Sequence, residues 1–285
     1  MKKSVSKEEC QMNVNKALTI AGSDSGGGAG IQADLKSFQE LGVFGMSALT
    51  AVTAQNTTGV QGVFPMDADA VVSQIQSIGE DLPPDAVKTG MLFNAEIIER
   101  VSREIERYQW KNIVIDPVMI AKGGASLLQK EAISAMKEYL IPLSMIITPN
   151  IPEAEVLTGA NINTAAGKKE AARKLHEMGA KHVIIKGGHD DTADYASDLL
   201  FDGEEFYEFT SKRFGTRNTH GTGCTYSAAI TAGLADGLPV PVAVERAKDF
   251  IKAAIEDDLG LGNGHGPTNH WAFNRRKKGT VTNDL

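Results

Sequence analysis

The feature that most constrains the fold of this chain is a repeated alternation of short apolar segments with longer amphipathic ones. The strand-like segments are residues 17–20, 47–53, 86–88, 113–115, 145–147 and 183–185. The segments with helical periodicity are residues 31–41, 68–78, 95–107, 130–139 and 165–178. Apolar strands joined by amphipathic helices are typical of βαβ units, in which helices cover both faces of a parallel sheet. The sequence therefore predicts an α/β fold with a central, mostly parallel sheet.

One region departs from this alternation. Residues 199–201 are apolar, residues 206–209 are aromatic apart from Glu208, and Asp202-Gly203 lies between them. An Asp-Gly pair between two such runs is typical of a β-hairpin. We therefore expect antiparallel strands at one edge of the sheet.

The two ends of the chain differ from its centre. Residues 1–14 are polar without periodicity, and residues 274–285 carry the basic run 275–278 before a polar end. Both are predicted to be solvated tails, disordered at the N-terminus and polar and basic at the C-terminus. No internal repeat or linker divides the remainder, so residues 15–273 are predicted to form a single domain.

Composition narrows the class of protein. With 285 residues and 42% hydrophobic content, the chain can bury a full core. A formal net charge of -7 argues against nucleic acid or an anionic membrane as the main partner. Two cysteines, Cys10 and Cys224, cannot form a disulfide framework. Because the chain also lacks an apolar secretory region and a membrane-spanning run, we expect a soluble cytoplasmic protein.

Residues 218–225 combine a glycine turn with the start of an apolar helix. Gly221 and Gly223 allow backbone N–H groups to approach an anion, and the helix directs its positive end at the same point. This predicts a site for a phosphoryl group, with Cys224 beside it as a base whose pKa is lowered. The alternative is a tight loop before a core helix, with Cys224 as an inert small hydrophobe.

Glycines or polar residues follow all six predicted strands. They lie at residues 21–30, 55–56, 88–91, 116–119, 148–153 and 186–189. Each of them alone is compatible with a purely structural role, since Asp116 suits a turn, Lys186 could face solvent, and Asn150 with Glu153 favours a helix capping box. Ligands of open parallel sheets bind at the carboxyl ends of the strands, so the six together favour a binding site there.

The first glycine-rich loop also fits another class of site. Residues 28–33 match the dinucleotide-binding pattern G-x-G-x-x-[GA]. That fold places an acidic residue at the end of the second strand, but residues 53–57 contain none. A nicotinamide enzyme is therefore a minor alternative, and the chain has no G-x-x-x-x-G-K-[ST] phosphate loop.

Taken together, these motifs resemble a known family. The turn 221–224 resembles the anion-hole signature of the ribokinase superfamily, whose sugar kinases carry Asp where this chain has Cys224. The Asn150-x-x-Glu153 motif resembles the superfamily's magnesium-associated motif. With residues 21–24, 27–36, 53–57, 87–91 and 116–119, the chain is similar to hydroxymethylpyrimidine/phosphomethylpyrimidine kinases over about residues 16–273.

This resemblance implies a ribokinase-like three-layer α/β/α sandwich and an enzyme of thiamine biosynthesis that uses ATP and Mg²⁺. Its substrates would be 4-amino-5-hydroxymethyl-2-methylpyrimidine and the monophosphate of that alcohol, and it would form a homodimer. The resemblance places Gln55 and Asp34 at the polar edge of the pyrimidine, with Gly22, Met91 and Val118 around the ring. It assigns the metal and phosphates to Asp116, Glu153, Asn150, Lys186 and Thr219, the anion hole to Gly221, Thr222 and Gly223, and the base to Cys224.

Three other functions compete with this one. A pyridoxal kinase is the nearest, because some bacterial members share the cysteine turn, and a dual activity is compatible with the sequence. Cys224 disfavours a sugar kinase. A non-catalytic regulator would need a further partner-binding element, and we find none in the sequence.

Overall fold

The computed structural model describes residues 14–119, 130–188 and 194–281, whose strands form one nine-stranded sheet. The strands are β1 (Lys16–Asp24), β2 (Phe44–Asn56), β3 (Gly59–Pro65), β4 (Ala86–Thr89), β5 (Ile113–Ile115), β6 (Ile146–Ile147), β7 (His182–Ile185), β8 (Tyr195–Phe201) and β9 (Phe206–Lys212). Their order across the sheet is β3-β2-β1-β4-β5-β6-β7-β8-β9. The six central strands, β2, β1, β4, β5, β6 and β7, pair in parallel with one another, whereas β3, β8 and β9 pair antiparallel.

Helices cover both faces of this sheet. They are α1 (Gly30–Glu40), α2 (Ala68–Asp81), α3 (Ala95–Arg107), α4 (Lys130–Ala135), α5 (Ile151–Thr158), α6 (Ala165–Glu177), α7 (Thr222–Ala235), α8 (Val240–Glu256) and α9 (Ala272–Val281). After α4 the chain continues through one π-helical turn, Met136–Leu140, and one 3₁₀ turn, Ile141–Leu143.

The alternation of side chains along each strand explains the three layers. In β5, Ile113 and Ile115 pack into the core beneath α2 to α6, whereas Val114 packs into the core beneath α1, α7 and α8. Successive side chains of a strand point to opposite faces, so a strand that is apolar at every position needs a helical layer on each side. The predicted three-layer α/β/α architecture is confirmed.

The edges of the sheet differ partly from the prediction. The hairpin around Asp202-Gly203 is confirmed as β8 and β9. The opposite edge is antiparallel as well, because β2 continues to Asn56 and β3 folds back against it. Sequence patterns miss β3 because its segment contains Gly59, Gly62 and Pro65, which have low strand propensity.

The C-terminal region is more ordered than predicted. Residues 274–281, expected to be a solvated tail, belong to α9, and the amide of Asn274 donates to the backbone oxygen of Glu40 at 2.6 Å. Residues 1–13 and 282–285 lie outside the described ranges, and the single-domain division stays a prediction. No helix within the described ranges is both long and apolar enough to cross a membrane.

Candidate active site

A cavity of about 860 Å³ lies at the carboxyl ends of the central strands. It is lined by all the predicted site residues except Asp34, namely Gly22, Gln55, Met91, Val118, Asp116, Asn150, Glu153, Lys186, Thr219, Gly221, Thr222, Gly223 and Cys224. The parallel topology explains this, because the loops after neighbouring strands emerge at the same edge. His189, which follows the sixth predicted strand, lies outside the described residues.

The glycine turn brings the N-terminus of α7 to the cavity. Gly221 has a φ of +80°, a left-handed conformation that glycine adopts without strain. A Cβ atom at residue 221 would also overlap the carbonyl oxygen of Gly28, so only glycine permits this close approach. No side chain caps the 14-residue helix α7. Its first turn therefore directs backbone N–H groups and a positive dipole end at the cavity, which suits a phosphate.

Cys224 lies in the first turn of α7, where the sequence predicts a thiol of lowered pKa. The structure contradicts that prediction, because burial raises the pKa of Cys224 to about 12. The charge of Lys88 lowers it, but the carboxylates of Asp116 and Asp34 raise it again. Without a bound ligand, the thiol is therefore protonated at neutral pH. Sequence reasoning considered the helix end and missed the burial of the thiol and, after it, the two carboxylates.

Lys186 and Asp116 form a nearly buried ion pair beside the first turn of α7. Lys186 Nζ lies 3.0 Å from Asp116 Oδ1, with the two side chains 14% and 3% exposed. Burial disfavours both charges, yet each group stabilises the other, so the pKa of Asp116 is lowered and that of Lys186 is raised. A Cβ atom on Gly223 would lie only 3.3 Å from Lys186 Nζ. The ammonium group therefore adjoins the proposed phosphate position and does not face bulk solvent.

Asn150 and Glu153 form the capping box expected for this pair. The Glu153 N–H donates to Asn150 Oδ1 at 2.9 Å, and the Asn150 N–H donates to Glu153 Oε2 at 2.8 Å. Burial, followed by the nearby charge of Asp116, raises the pKa of Glu153 to about 7 despite the opposing effect of Lys186. The cap and a ligand-binding role are compatible, because the same carboxylate lines the cavity.

The other end of the cavity is less charged. Gly22 lies against Met91, since a Cβ atom at residue 22 would overlap the Met91 methyl group. Val118 is half-buried there, and the Gln55 side chain lies near Thr53 and His220. A flat aromatic ring with a polar edge fits these surroundings, because apolar atoms would cover its faces and an amide its edge.

Asp34 does not line the cavity, contrary to the direct ligand contact that we expected. Its carboxylate is 0% exposed and lies 3.0 Å from the equally buried Lys88 ammonium group. It also accepts a 2.6 Å hydrogen bond from Thr19. Lys88, which the sequence analysis did not select, lies at the floor of the cavity. Burial opposes its charge, but Asp34, Cys224 and Asp116 together raise the pKa of Lys88, so it is a cation.

A second pair that the sequence analysis missed joins the two glycine loops. His220 Nε2 lies 2.8 Å from Asp24 Oδ2, and Asp24 also accepts backbone N–H groups from Gly26, Gly28 and Ala29. Burial would raise the pKa of Asp24, but the bonds from His220 and the backbone hold it below its usual value. The position of His220 inside the glycine turn was the available signal.

The cavity also extends beyond Lys186 toward β8, β9 and α8. This part is lined by the basic residues Lys212, Arg213, Lys248 and Lys252 together with Phe214 and Ile255. Lys248 is held by Asp198 at 2.6 Å. A second ligand with negative charge therefore fits beside the first, with the N-terminus of α7 between them.

Comparison with known proteins shows the family of this chain. A model of the phosphomethylpyrimidine kinase family matches residues 24–269. The chain belongs to that family. It is 58% identical over 269 residues to the hydroxymethylpyrimidine/phosphomethylpyrimidine kinase of Bacillus subtilis, covering 94% of this chain and 99% of the relative.

Solved structures of related kinases share the fold. The ADP complex of Bacillus subtilis pyridoxal kinase superposes with a TM-score of 0.86 at 47% identity, covering 92% of this chain and 99% of that one. Staphylococcus aureus pyridoxal kinase in complex with AMP-PCP and pyridoxal gives a TM-score of 0.85 at 41% identity, covering 92% and 96% of the two chains. The predicted ribokinase-like fold is therefore confirmed, and the family's members are kinases.

Proposed function

We propose that this protein transfers the γ-phosphoryl group of ATP to 4-amino-5-hydroxymethyl-2-methylpyrimidine, and then to the resulting monophosphate, in thiamine biosynthesis. The observation that carries the proposal is the uncapped N-terminus of α7. It lies between a basic lobe that suits a nucleotide and an apolar lobe with the Gln55 amide. Phosphoryl transfer needs mainly alignment and charge stabilisation, and this arrangement supplies both.

In the proposed reaction the hydroxymethyl oxygen forms a bond to the γ-phosphorus of ATP, and the bond from that phosphorus to the leaving oxygen of ADP breaks. The N–H groups after Gly221 and the ammonium group of Lys186 stabilise the charge on the phosphoryl oxygens. Cys224, as thiolate, accepts the proton of the alcohol. Because burial and two carboxylates hold this thiol protonated in the free protein, its ionisation depends on nearby positive charge, and Lys88 is the cation that lowers its pKa.

Mg²⁺ fits the proposed site by the chemistry of its donors. Asp116 and Glu153 offer hard carboxylate oxygens, and both residues line the cavity. Among the described residues, no group of three or more His, Cys, Asp or Glu side chains could hold a metal ion alone. Mg²⁺ is commonly held by one or two carboxylates together with phosphates and water. There it would neutralise phosphate charge.

The metal assignment predicts how ADP affinity responds to Mg²⁺. Mg²⁺ should tighten ADP binding to the unaltered protein, and Asp116→Asn should abolish most of that gain, about tenfold in Kd for one lost charged contact. Calorimetric titration of ADP with and without Mg²⁺ measures the difference. Asp69→Asn is the matched control, because the Asp69 side chain is 87% exposed. An undiminished Mg²⁺ effect in Asp116→Asn would remove Asp116 from the metal site.

An assay with three acceptors tests the function. We expect Mg-ATP to be consumed with the hydroxymethylpyrimidine and with its monophosphate. Pyridoxal is the third acceptor, because two of the related structures are pyridoxal kinases. Turnover of pyridoxal but of neither pyrimidine would replace the proposal with a pyridoxal kinase, whereas turnover of all three would establish a dual activity.

We also propose a cytoplasmic homodimer. The cytoplasm supplies the ATP that the reaction consumes. Val52 and Phe64 pair across β2 and β3 and are 40% and 63% exposed, an apolar patch that a second copy of the chain could cover. Light scattering of the unaltered protein should give twice the mass of one chain. Phe64→Glu should lower the measured mass, whereas the control Leu261→Glu, at another exposed site, should not. A monomeric unaltered protein would contradict this.

A further inference from the structure

The Gln55 side chain lies between Thr53 and His220. The other hydrogen bonds of these two residues determine whether each can donate to Gln55 or accept from it. One end of the amide lies 3.0 Å from Thr53 Oγ1, and the other lies 3.3 Å from His220 Nε2. Amide oxygen and nitrogen have nearly the same shape, so the surrounding donors and acceptors determine which end is which.

Thr53 determines the first end. Its hydroxyl carries a single proton and lies 2.9 Å from the carbonyl oxygen of Ser23, which can only accept. The proton is therefore donated to Ser23, and Thr53 offers a lone pair to Gln55. A lone pair requires a donor, so the NH₂ group of Gln55 faces Thr53.

His220 determines the second end independently. Its Nε2 lies 2.8 Å from a carboxylate oxygen of Asp24, which accepts hydrogen bonds and donates none. The proton therefore resides on Nε2, and no lone pair remains there for an amide N–H. The carbonyl oxygen of Gln55 faces His220, with the amide rotated by about 180° from the arrangement that pairs its nitrogen with His220.

We propose that Thr53 and His220 are positioning residues that fix the Gln55 amide, and through it the direction in which the pyrimidine lies in the cavity. The inference rests on the proposed function. With its oxygen toward His220, the amide accepts from the 4-amino group on that side and donates to the ring nitrogen on the Thr53 side. The amino group neighbours the carbon that bears the hydroxymethyl group. The reacting alcohol is therefore placed toward His220 and the adjacent Gly221, where α7 begins.

The opposite amide orientation would turn the ring over. The amino group would then lie beside Thr53, and the hydroxymethyl group would point away from the anion-hole turn. A substrate with donor and acceptor exchanged, the 4-oxo analogue of the alcohol, meets the fixed amide with oxygen facing oxygen and N–H facing N–H. Such a site rejects the mismatched edge, because its polar groups are left unpaired.

The test compares the 4-amino alcohol with its 4-oxo analogue as acceptors. We expect the unaltered protein to prefer the amino alcohol by about 100-fold or more in kcat/KM. His220→Met removes the N–H but keeps a similar side-chain length, and it should lower that preference to about tenfold or less. His220→Gln replaces the N–H with an amide donor and should restore the preference. Thr53→Val, which removes the lone pair at the other end, should weaken it as His220→Met does.

The preference ratio separates positioning from a merely structural role. A purely structural role would slow both acceptors equally. An unchanged preference for the amino alcohol in His220→Met and Thr53→Val would therefore overturn the proposal. A preference lost equally in His220→Gln and His220→Met would overturn it as well. If the unaltered protein turns over neither alcohol, the proposed function fails. In that case calorimetry compares the dissociation constants of the 4-amino alcohol and its 4-oxo analogue. Equal affinities for the two compounds would overturn this inference separately.

Discussion

Replacing Cys224 with alanine should slow phosphorylation of the alcohol by about 10²-fold or more, the usual scale for a lost general base. The alcohol must lose a proton as it attacks, and Cys224 is the group at the start of α7 that can accept it. The monophosphate acceptor is already an anion at neutral pH and needs little help from a base. Its phosphorylation should therefore suffer less than that of the alcohol.

Single-turnover rates with both acceptors measure this difference. Cys224→Ser is the matched control, because a hydroxyl keeps the shape of the side chain but ionises far less readily than a thiol. It should be nearly as slow as Cys224→Ala with the alcohol. Equal losses with both acceptors would mean that Cys224 positions or packs, and rapid turnover by the serine variant would contradict the base assignment.

The largest effect on stability is expected from Lys88→Met. Lys88 and Asp34 are both 0% exposed, and removing the ammonium group leaves a buried carboxylate without its counter-charge. Breaking one partner of a buried pair costs about 3–5 kcal/mol in free energy of unfolding. Since Lys88 also lowers the pKa of Cys224, any folded Lys88→Met protein should phosphorylate the alcohol more slowly than the unaltered protein.

Denaturant unfolding of single and double variants tests the pair. Adding Asp34→Asn to Lys88→Met should recover part of the lost stability, because a neutral amide is cheaper to bury than a lone carboxylate. Lys16→Met is the control, since the Lys16–Asp85 pair is 26% and 44% exposed and exposed pairs contribute little. If Lys88→Met and Lys16→Met lower the free energy of unfolding by the same amount, the buried pair does not contribute the stability expected of it.

Much of the fold follows from local patterns in the sequence. The run Ile113-Val114-Ile115 is apolar on both faces, which requires helices on both sides of its strand, and the structure has them. Asn150 and Glu153 have the spacing of a capping box, and they form one. The glycine turn before Cys224 does begin a buried helix, α7. In each case the residues that decide the structure are close together in the chain.

The interactions that sequence reasoning missed join distant residues. Lys88 and Asp34 are 54 positions apart, and no local pattern shows that their side chains meet. The pKa of Cys224 is raised mainly by burial and then by Asp116 and Asp34, which are distant in the chain, so the helix start alone gave the wrong direction. The β3 strand was missed for a different reason, because pairing with β2 overrides its weak intrinsic preference.

The contact between Gly221 and Gly28, with the bond from His220 to Asp24 beside it, has a consequence for synthesis on the ribosome. The two bonded residues are 196 positions apart, so the first glycine loop leaves the ribosome long before its partner is made. Bringing such distant segments together is among the slower steps of folding. The helices α7 and α8, which cover one face of the sheet, also follow this turn in the chain. That face and the proposed phosphate-binding turn are therefore completed together, and we expect activity only near the end of translation.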